Sequence, residues 1–207
     1  MSPDLHPETL AVPTRKGFDQ LAAHAWVSTF YLAGGTALAL RLGHRISVDL
    51  DFFSEAEFNE NQLIRELSSM GILEILQKSP QSLTGVLDGV KFSFLSYPYP
   101  MLKNGEVWNG ITIASIEDIG CMKLDALSSR GTKRDFIDVY FIAQRIPLSV
   151  LLRLFERKYA AVRYNLLHVK KSLVYFEDAE SDPMPGMIVP VTWEEVKQFF
   201  VKETKNL

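Results

Sequence analysis

Between residues 32 and 53 the chain reads LAGGTALALRLGHRISVDLDFF. A strand-like apolar run breaks at Gly34-Gly35-Thr36, a short helix follows as far as Gly43, and a second β-prone stretch returns with Asp49 and Asp51. One residue separates the two carboxylates, so strand alternation points both to one face and Leu50 and Phe52 to the other. Like charges so close raise each other's pKa, and they stay ionised together only beside a cation. Oxygen ligands with vacancies for substrate phosphates suit Mg²⁺ or Mn²⁺, which takes one or two carboxylates plus phosphate oxygens.

The glycines supply the other half of this site. Gly34 and Gly35 lack Cβ, so the N–H groups of the turn can approach a phosphate, and the helix starting near Thr36 adds its positive end. Thr36 can cap that helix or touch a phosphate. Taken singly, GGT is also a tight turn into a capped helix, and each aspartate is also a solvated strand end. The order of glycine turn, short helix and hydrophobic-DxD-aromatic strand is what points to phosphate chemistry.

The periodicity continues through the chain. Residues 16–28 space Phe18, Leu21, Ala22, Ala25 and Trp26 as a helix, FYLAGG reads as a buried strand, and NENQLIRELSSMG predicts a helix stopped by Gly71. ILEILQ follows as a strand, and Asp88-Gly89 between alternating apolar runs predicts a two-residue hairpin turn, so the sheet is mixed. PYPMLKNGEVWNG is turn-rich, ITIA is a short strand, and Ser115-x-x-Asp118 opens a helix to about Ser129. Helices are then expected over 133–145, from Ser149, and from the capping box Thr192-x-x-Glu195. Lys123 and Arg130, seven apart, share a helix face that could hold a triphosphate, with Asp125 off that face. Arg134 and Asp138 stand i, i+4 with Asp135 one turn from Asp138, a spacing that also fits an ordinary helix ion pair. His44 and Arg45 lie between the short helix and the DxD strand, where they meet a phosphate or sit in water.

The segment LAGGTALALRLGHRISVDLDFF resembles the nucleotidyltransferase signature of the DNA polymerase β superfamily, and in detail the AbiEii/AbiGii toxin family. SIEDIGCMKLDALSSRGTKRDFIDVYFI is similar to that family's third and fourth motifs, and YFEDAESDPMPGMIVPVTWEEVKQFF to its C-terminal end, so the likeness spans roughly residues 15–200. The resemblance implies an α/β (α+β) nucleotidyltransferase fold: a mixed sheet flanked by helices over residues 1–114, then a helical portion over 115–207 that closes one side of the cleft. It also implies that the third-motif Lys123 contacts nucleotide phosphates and that the fourth-motif Asp138 contributes to the active site, with Asp135 beside it. The expected sites are therefore Asp49, Asp51, Asp138 and Asp135 for catalysis, Asp49 and Asp51 for metal, and Gly34, Gly35, Thr36, Lys123, Arg130 and Arg134 for NTP.

The implied activity is metal-dependent transfer of a nucleotidyl group from an NTP to an acceptor hydroxyl, with tRNA as an acceptor. The implied setting is a bacterial toxin–antitoxin or phage-defence pair with a cognate antitoxin. One departure stands out. Many relatives carry a third carboxylate on a later strand, yet VKFSFLSY has no acid and Asp88 reads as a turn former, so Asp135 or Asp138 would have to supply the missing oxygen. That absence keeps open a degenerate NTP-binding module; a small-molecule transferase of the antibiotic-modifying type is a further alternative.

Composition limits the remaining choices. The 207 residues, 47% of them hydrophobic, suffice for a sizeable core, while the apolar runs are too interrupted for a membrane span. MSPDLHPETL has neither a basic start nor an apolar export core, so a cytoplasmic protein is expected. The single Cys121 permits no internal disulfide and reads as buried filler. A net charge of −3 argues against whole-surface binding to nucleic acid. Even so, Arg153, Arg157, Lys158, Arg163, Lys170 and Lys171 gather in a segment that fits either a phosphate-tracking surface or the solvated faces of two helices.

Overall fold

A computed structural model describes residues 5–207; Met1–Asp4, the start of the stretch on which the cytoplasmic expectation rests, lie outside the described residues. The first helix, α1 (Val12–Ala22), starts earlier than periodicity predicts because Pro13 fits a helix's first turn. It also ends earlier, and Ala25–Thr29 form a separate 3₁₀ turn that buries Val27 and leaves Trp26 partly covered. The chain then enters β1 (Tyr31–Leu32), α2 (Gly34–Leu42) and β2 (Leu50–Ser54). Gly43 closes α2 at φ 67°, a left-handed conformation that glycine adopts without a Cβ penalty.

After α3 (Glu60–Met70), capped by the Asn59 side chain, come β3 (Leu73–Ser79), β4 (Ser82–Leu87) and β5 (Val90–Ser96). The Asp88-Gly89 turn joins β4 to β5 with both residues at positive φ, as a type I′ hairpin requires. A second hairpin, β6 (Glu106–Trp108) to β7 (Ile111–Ile113), turns at Asn109-Gly110. Its first strand lies inside the stretch read as turn-rich; the Asn-Gly pair between Val107-Trp108 and Ile111 was its signal, and the strand is only three residues long.

The seven strands form one mixed sheet in the order β3-β4-β5-β2-β1-β7-β6. β2 runs parallel to β5 and antiparallel to β1, which runs parallel to β7. The central position of β2 explains its sequence: Leu50 and Phe52 are buried, and Phe52 stacks on Phe94 of β5 at 4.9 Å.

The rest of the described chain is helical: α4 (Ile116–Ser129), α5 (Lys133–Ala143), α6 (Leu148–Lys158), α7 (Leu166–Ser172), α8 (Glu177–Glu180) and α9 (Trp193–Glu203). Leu124, Phe136, Leu151, Phe155 and Phe200 from these helices join one continuous core with Phe52 and Phe94 of the sheet. None of the described helices is long and apolar enough to cross a membrane.

Candidate active site

Two parallel strands make the floor of a cavity of about 470 Å³, and α4 and α5 make its wall. Asp51 sits in register with Ser93, and Phe53 with Leu95. Pleating therefore turns Asp51, Phe53, Lys91, Ser93 and Leu95 to the same face, where all five line the cavity together with Asp49. The main chain at β1 fixes the glycine turn against this floor through Ala33 N–H donating to the Asp51 carbonyl at 3.0 Å. Gly34, at φ 65°, leaves room for the Asp51 carboxylate: a Cβ there would lie 2.9 Å from Oδ2. Gly35 does the same for Arg45, since its Cβ would collide with Nη2 of that side chain. Gly35→Ala is expected to displace Arg45 and cost about 1–3 kcal/mol through overpacking, measured as a lowered thermal midpoint; an unchanged midpoint would show that Arg45 has slack.

Behind the cavity lies a buried network of charges. Arg45 grips Asp138 with two hydrogen bonds, Nε to Oδ1 at 2.7 Å and Nη2 to Oδ2 at 2.9 Å. His44 Nε2 reaches Asp138 Oδ1 at 2.9 Å, and Lys123 Nζ lies 2.6 Å from Asp138 Oδ2 and 2.9 Å from Asp135 Oδ1. Thr132 and Arg130 complete Asp135, at 2.6 and 3.3 Å from its Oδ2. Burial alone would raise the Asp138 pKa, but Lys123 and Arg45 outweigh it and hold that carboxyl well below the usual range. Lys123 stays charged for the same reason, its burial being outweighed by Asp138 and Asp135. Burial lowers the His44 pKa more than Asp138 raises it, so the ring is neutral and donates from Nε2; its Nδ1 has no partner among the described residues.

A family profile described as nucleotidyl transferase AbiEii toxin, type IV toxin–antitoxin system, matches residues 18–100 and 97–206. The chain belongs to the AbiEii nucleotidyltransferase toxin family. An uncharacterised protein of Aquifex aeolicus is 39% identical over 198 residues, which span 93% of this chain and 94% of that protein. In fold, the chain is similar to JHP933 from Helicobacter pylori, at TM-score 0.58 and 19% identity over 98% of this chain and 92% of that one. It is also similar to MenT4, a nucleotidyltransferase toxin of Mycobacterium tuberculosis, at TM-score 0.54 and 16% identity over 95% and 86% of the two chains. The AbiEii fold thus accounts for the mixed sheet and for the helices around it.

Within this AbiEii protein, Gly34, Gly35, Asp49, Asp51, Lys123, Arg130, Arg134 and Asp135 all border one cavity. Two expected residues do not. Thr36 is buried in the first turn of α2, where its hydroxyl meets Ser47 Oγ at 2.8 Å and donates to the Asp49 carbonyl. It does not cap the helix, whose N-cap is Ala33, and it is absent from the cavity lining; it anchors the backbone that carries Asp49. Asp138 is fully buried with its oxygens taken by His44, Arg45 and Lys123, so it is a strut behind the cavity and no substitute for a third strand carboxylate. Arg134 belongs to the cavity and does not pair with Asp138, contrary to the i, i+4 reading.

Several residues whose place the sequence left open also belong to the cavity or to its backing. His44 and Arg45 are buried, because the segment 184–191 straps over them: Ile188 N–H donates to the His44 carbonyl at 3.0 Å. Asp125, read as lying off the Lys123 face, borders the cavity and accepts the Tyr164 hydroxyl at 2.7 Å. Ser93 stands in register beside Asp51, and Lys91 lies two residues before it on the same face. Alternation in VKFSFLSY signalled one face for Lys91, Ser93 and Leu95, but only the parallel register shows that this face meets the DxD.

The donor set fits a divalent cation. Burial, and then Asp49, raise the Asp51 pKa, which is the strain a shared cation relieves. Among the described residues no group of three or more His, Cys, Asp or Glu side chains converges as a metal cage. Two carboxylates facing an open cavity suit an ion that completes its shell with phosphate oxygens.

Proposed function

We propose that this AbiEii enzyme transfers a nucleotidyl group from an NTP to an acceptor hydroxyl, with RNA, such as tRNA, as the acceptor and pyrophosphate as the leaving group. The observation that carries it is the convergence of the glycine turn, Asp49 and Asp51 with a wall bearing Arg130 and Arg134. Asp49 and Asp51 would hold Mg²⁺ or Mn²⁺, which when bound neutralises phosphate charge and orients the α-phosphate for in-line attack. The N–H groups at the start of α2 bind the triphosphate, helped by the helix dipole. Arg130 and Arg134 pair with its outer oxygens, and positioning with charge neutralisation supplies most of the catalysis. Lys123, at the cavity's edge and locked between Asp135 and Asp138, places the Asp135 carboxylate and adds positive potential beside the phosphates. The helical portion from residue 115 forms the cleft's second side, and a cognate antitoxin and a cytoplasmic setting complete the proposal.

The test is incubation with each labelled NTP, total RNA and either Mg²⁺ or a chelator, with an aminoglycoside as a parallel acceptor. Label on RNA in Mg²⁺ alone is the expected result, whereas label on the aminoglycoside alone points to the small-molecule enzyme. The serine beside Asp51 favours one rival, a module that binds NTP without transfer, which predicts label on neither.

The basic segment contributes less to RNA binding than its sequence suggests. Lys158 is buried, its Nζ 2.7 Å from Asp118 Oδ1 and 3.1 Å from the Pro100 carbonyl, so it is a structural cation. Arg157 and Arg163 are exposed. Neutralising these two together is expected to flatten the salt dependence of RNA binding, by about 0.7 of a log–log unit for each single-strand phosphate that an arginine no longer neutralises. Unchanged slopes in binding titrations at several salt concentrations would remove this surface from the RNA path.

A further inference from the structure

The floor of the cavity is graded along the two parallel strands. Asp51 beside Ser93 is its charged row, and the next inward-facing row, Phe53 beside Leu95, is apolar. Tyr97 continues the apolar end past β5, its ring edge against Phe53 at 5.6 Å and its hydroxyl occupied by Tyr159. Across from it, α4 presents Met122 and Ala126 to the same cavity, and all five of these side chains are partly exposed there. Two apolar surfaces, one aromatic, therefore face each other beside the phosphate-binding end. Phosphates do not fill such a space; a planar, weakly hydrated ring does.

We propose that this slot between Phe53–Leu95–Tyr97 and Met122–Ala126 binds a nucleobase. The assignment rests on the NTP-dependent reading of the neighbouring carboxylates and specifies where the base of a nucleotide lies. Tyr31 backs Phe53 with a stacked ring at 6.0 Å, so the slot's aromatic floor is rigid. The Tyr97 hydroxyl is already bonded, and Leu95 and Ala126 carry no hydrogen-bonding side-chain groups, so these residues recognise the base by stacking and shape, with the Asp125 carboxylate, one oxygen of which accepts from Tyr164, as the polar group nearby on α4. The base belongs either to the NTP or to the acceptor's terminal nucleotide, and the two sources are separable.

The experiment is calorimetric titration of wild type, Phe53→Leu and Ala126→Phe in Mg²⁺ with ATP, inorganic tripolyphosphate and a short RNA lacking a triphosphate. Phe53→Leu removes the aromatic face at little change in volume, and Ala126→Phe fills the slot from a helix face; thermal melts confirm that both fold. Loss of stacking is expected to weaken nucleotide binding about tenfold while leaving tripolyphosphate unchanged. Loss confined to ATP assigns the slot to the NTP's base, and loss confined to the RNA assigns it to the acceptor's. Folded variants that bind ATP and RNA as wild type does would overturn the slot with the triphosphate site intact. A wild type that binds neither ATP nor tripolyphosphate would instead overturn the NTP reading on which the slot rests.

Discussion

Lys123→Met is expected to lower the thermal midpoint by on the order of 10 °C, because removing one member of a buried ionic network costs about 3–5 kcal/mol and each kcal/mol shifts a chain of this size by about 2–4 °C. Methionine keeps most of the side chain's volume and so isolates the charge. Asp135 and Asp138, both almost fully buried, would be left with Arg45 and Arg130 alone against two carboxylates. The double variant Lys123→Met/Asp138→Asn removes one cation together with the carboxylate it contacts and keeps the network's net charge at the wild-type value, so its loss should fall short of the sum of the two single losses. Differential scanning calorimetry on the four proteins measures this coupling. A Lys123→Met protein that melts like wild type yet binds NTP weakly would instead return the lysine to the direct phosphate role implied by the family motif.

Asp51→Asn should behave in the opposite way, keeping its fold and losing its chemistry. Burial and Asp49 both disfavour the charged form of Asp51, so exchanging it for a neutral isostere relieves repulsion, and the melting midpoint should match or exceed that of wild type. The amide keeps an oxygen for Ser93 but removes half of the anionic pair. If that pair supplies several kcal/mol of transition-state charge stabilisation through its cation, transfer should fall by about 10³-fold. Wild-type transfer by a folded Asp51→Asn protein would dismiss the DxD as the metal site.

Much of this arrangement was legible in the sequence because it rests on local rules. Glycine turns, caps and apolar periodicity located α2, α3, α4 and the Asp88-Gly89 hairpin, and alternation placed Asp49 and Asp51 together. Burial of polar groups was harder to read, because it depends on what lies across the molecule. Arg45 looks solvated until Asp138, 93 residues on, appears beside it. Lys158 looks like part of a basic surface until Asp118, bound also by the Leu102 and Lys103 amides, claims it. Thr36 looks like a phosphate ligand until the returning chain offers the Asp49 carbonyl. In each case a residue capable of phosphate chemistry looks free in the sequence, while in the fold a distant partner has already engaged it. The register of β5 against β2 was similarly hidden, and with it the serine beside Asp51 and the apolar row that follows.

A nucleotidyl group, not a phosphoryl group, is what the cavity should transfer, and the position of the label decides it. With Mg²⁺, RNA and NTP labelled at either the α- or the γ-phosphorus, the protein should attach the α-label to RNA and release the γ-label as pyrophosphate. Attachment of the γ-label, or of neither label, would rule out nucleotidyl transfer to RNA.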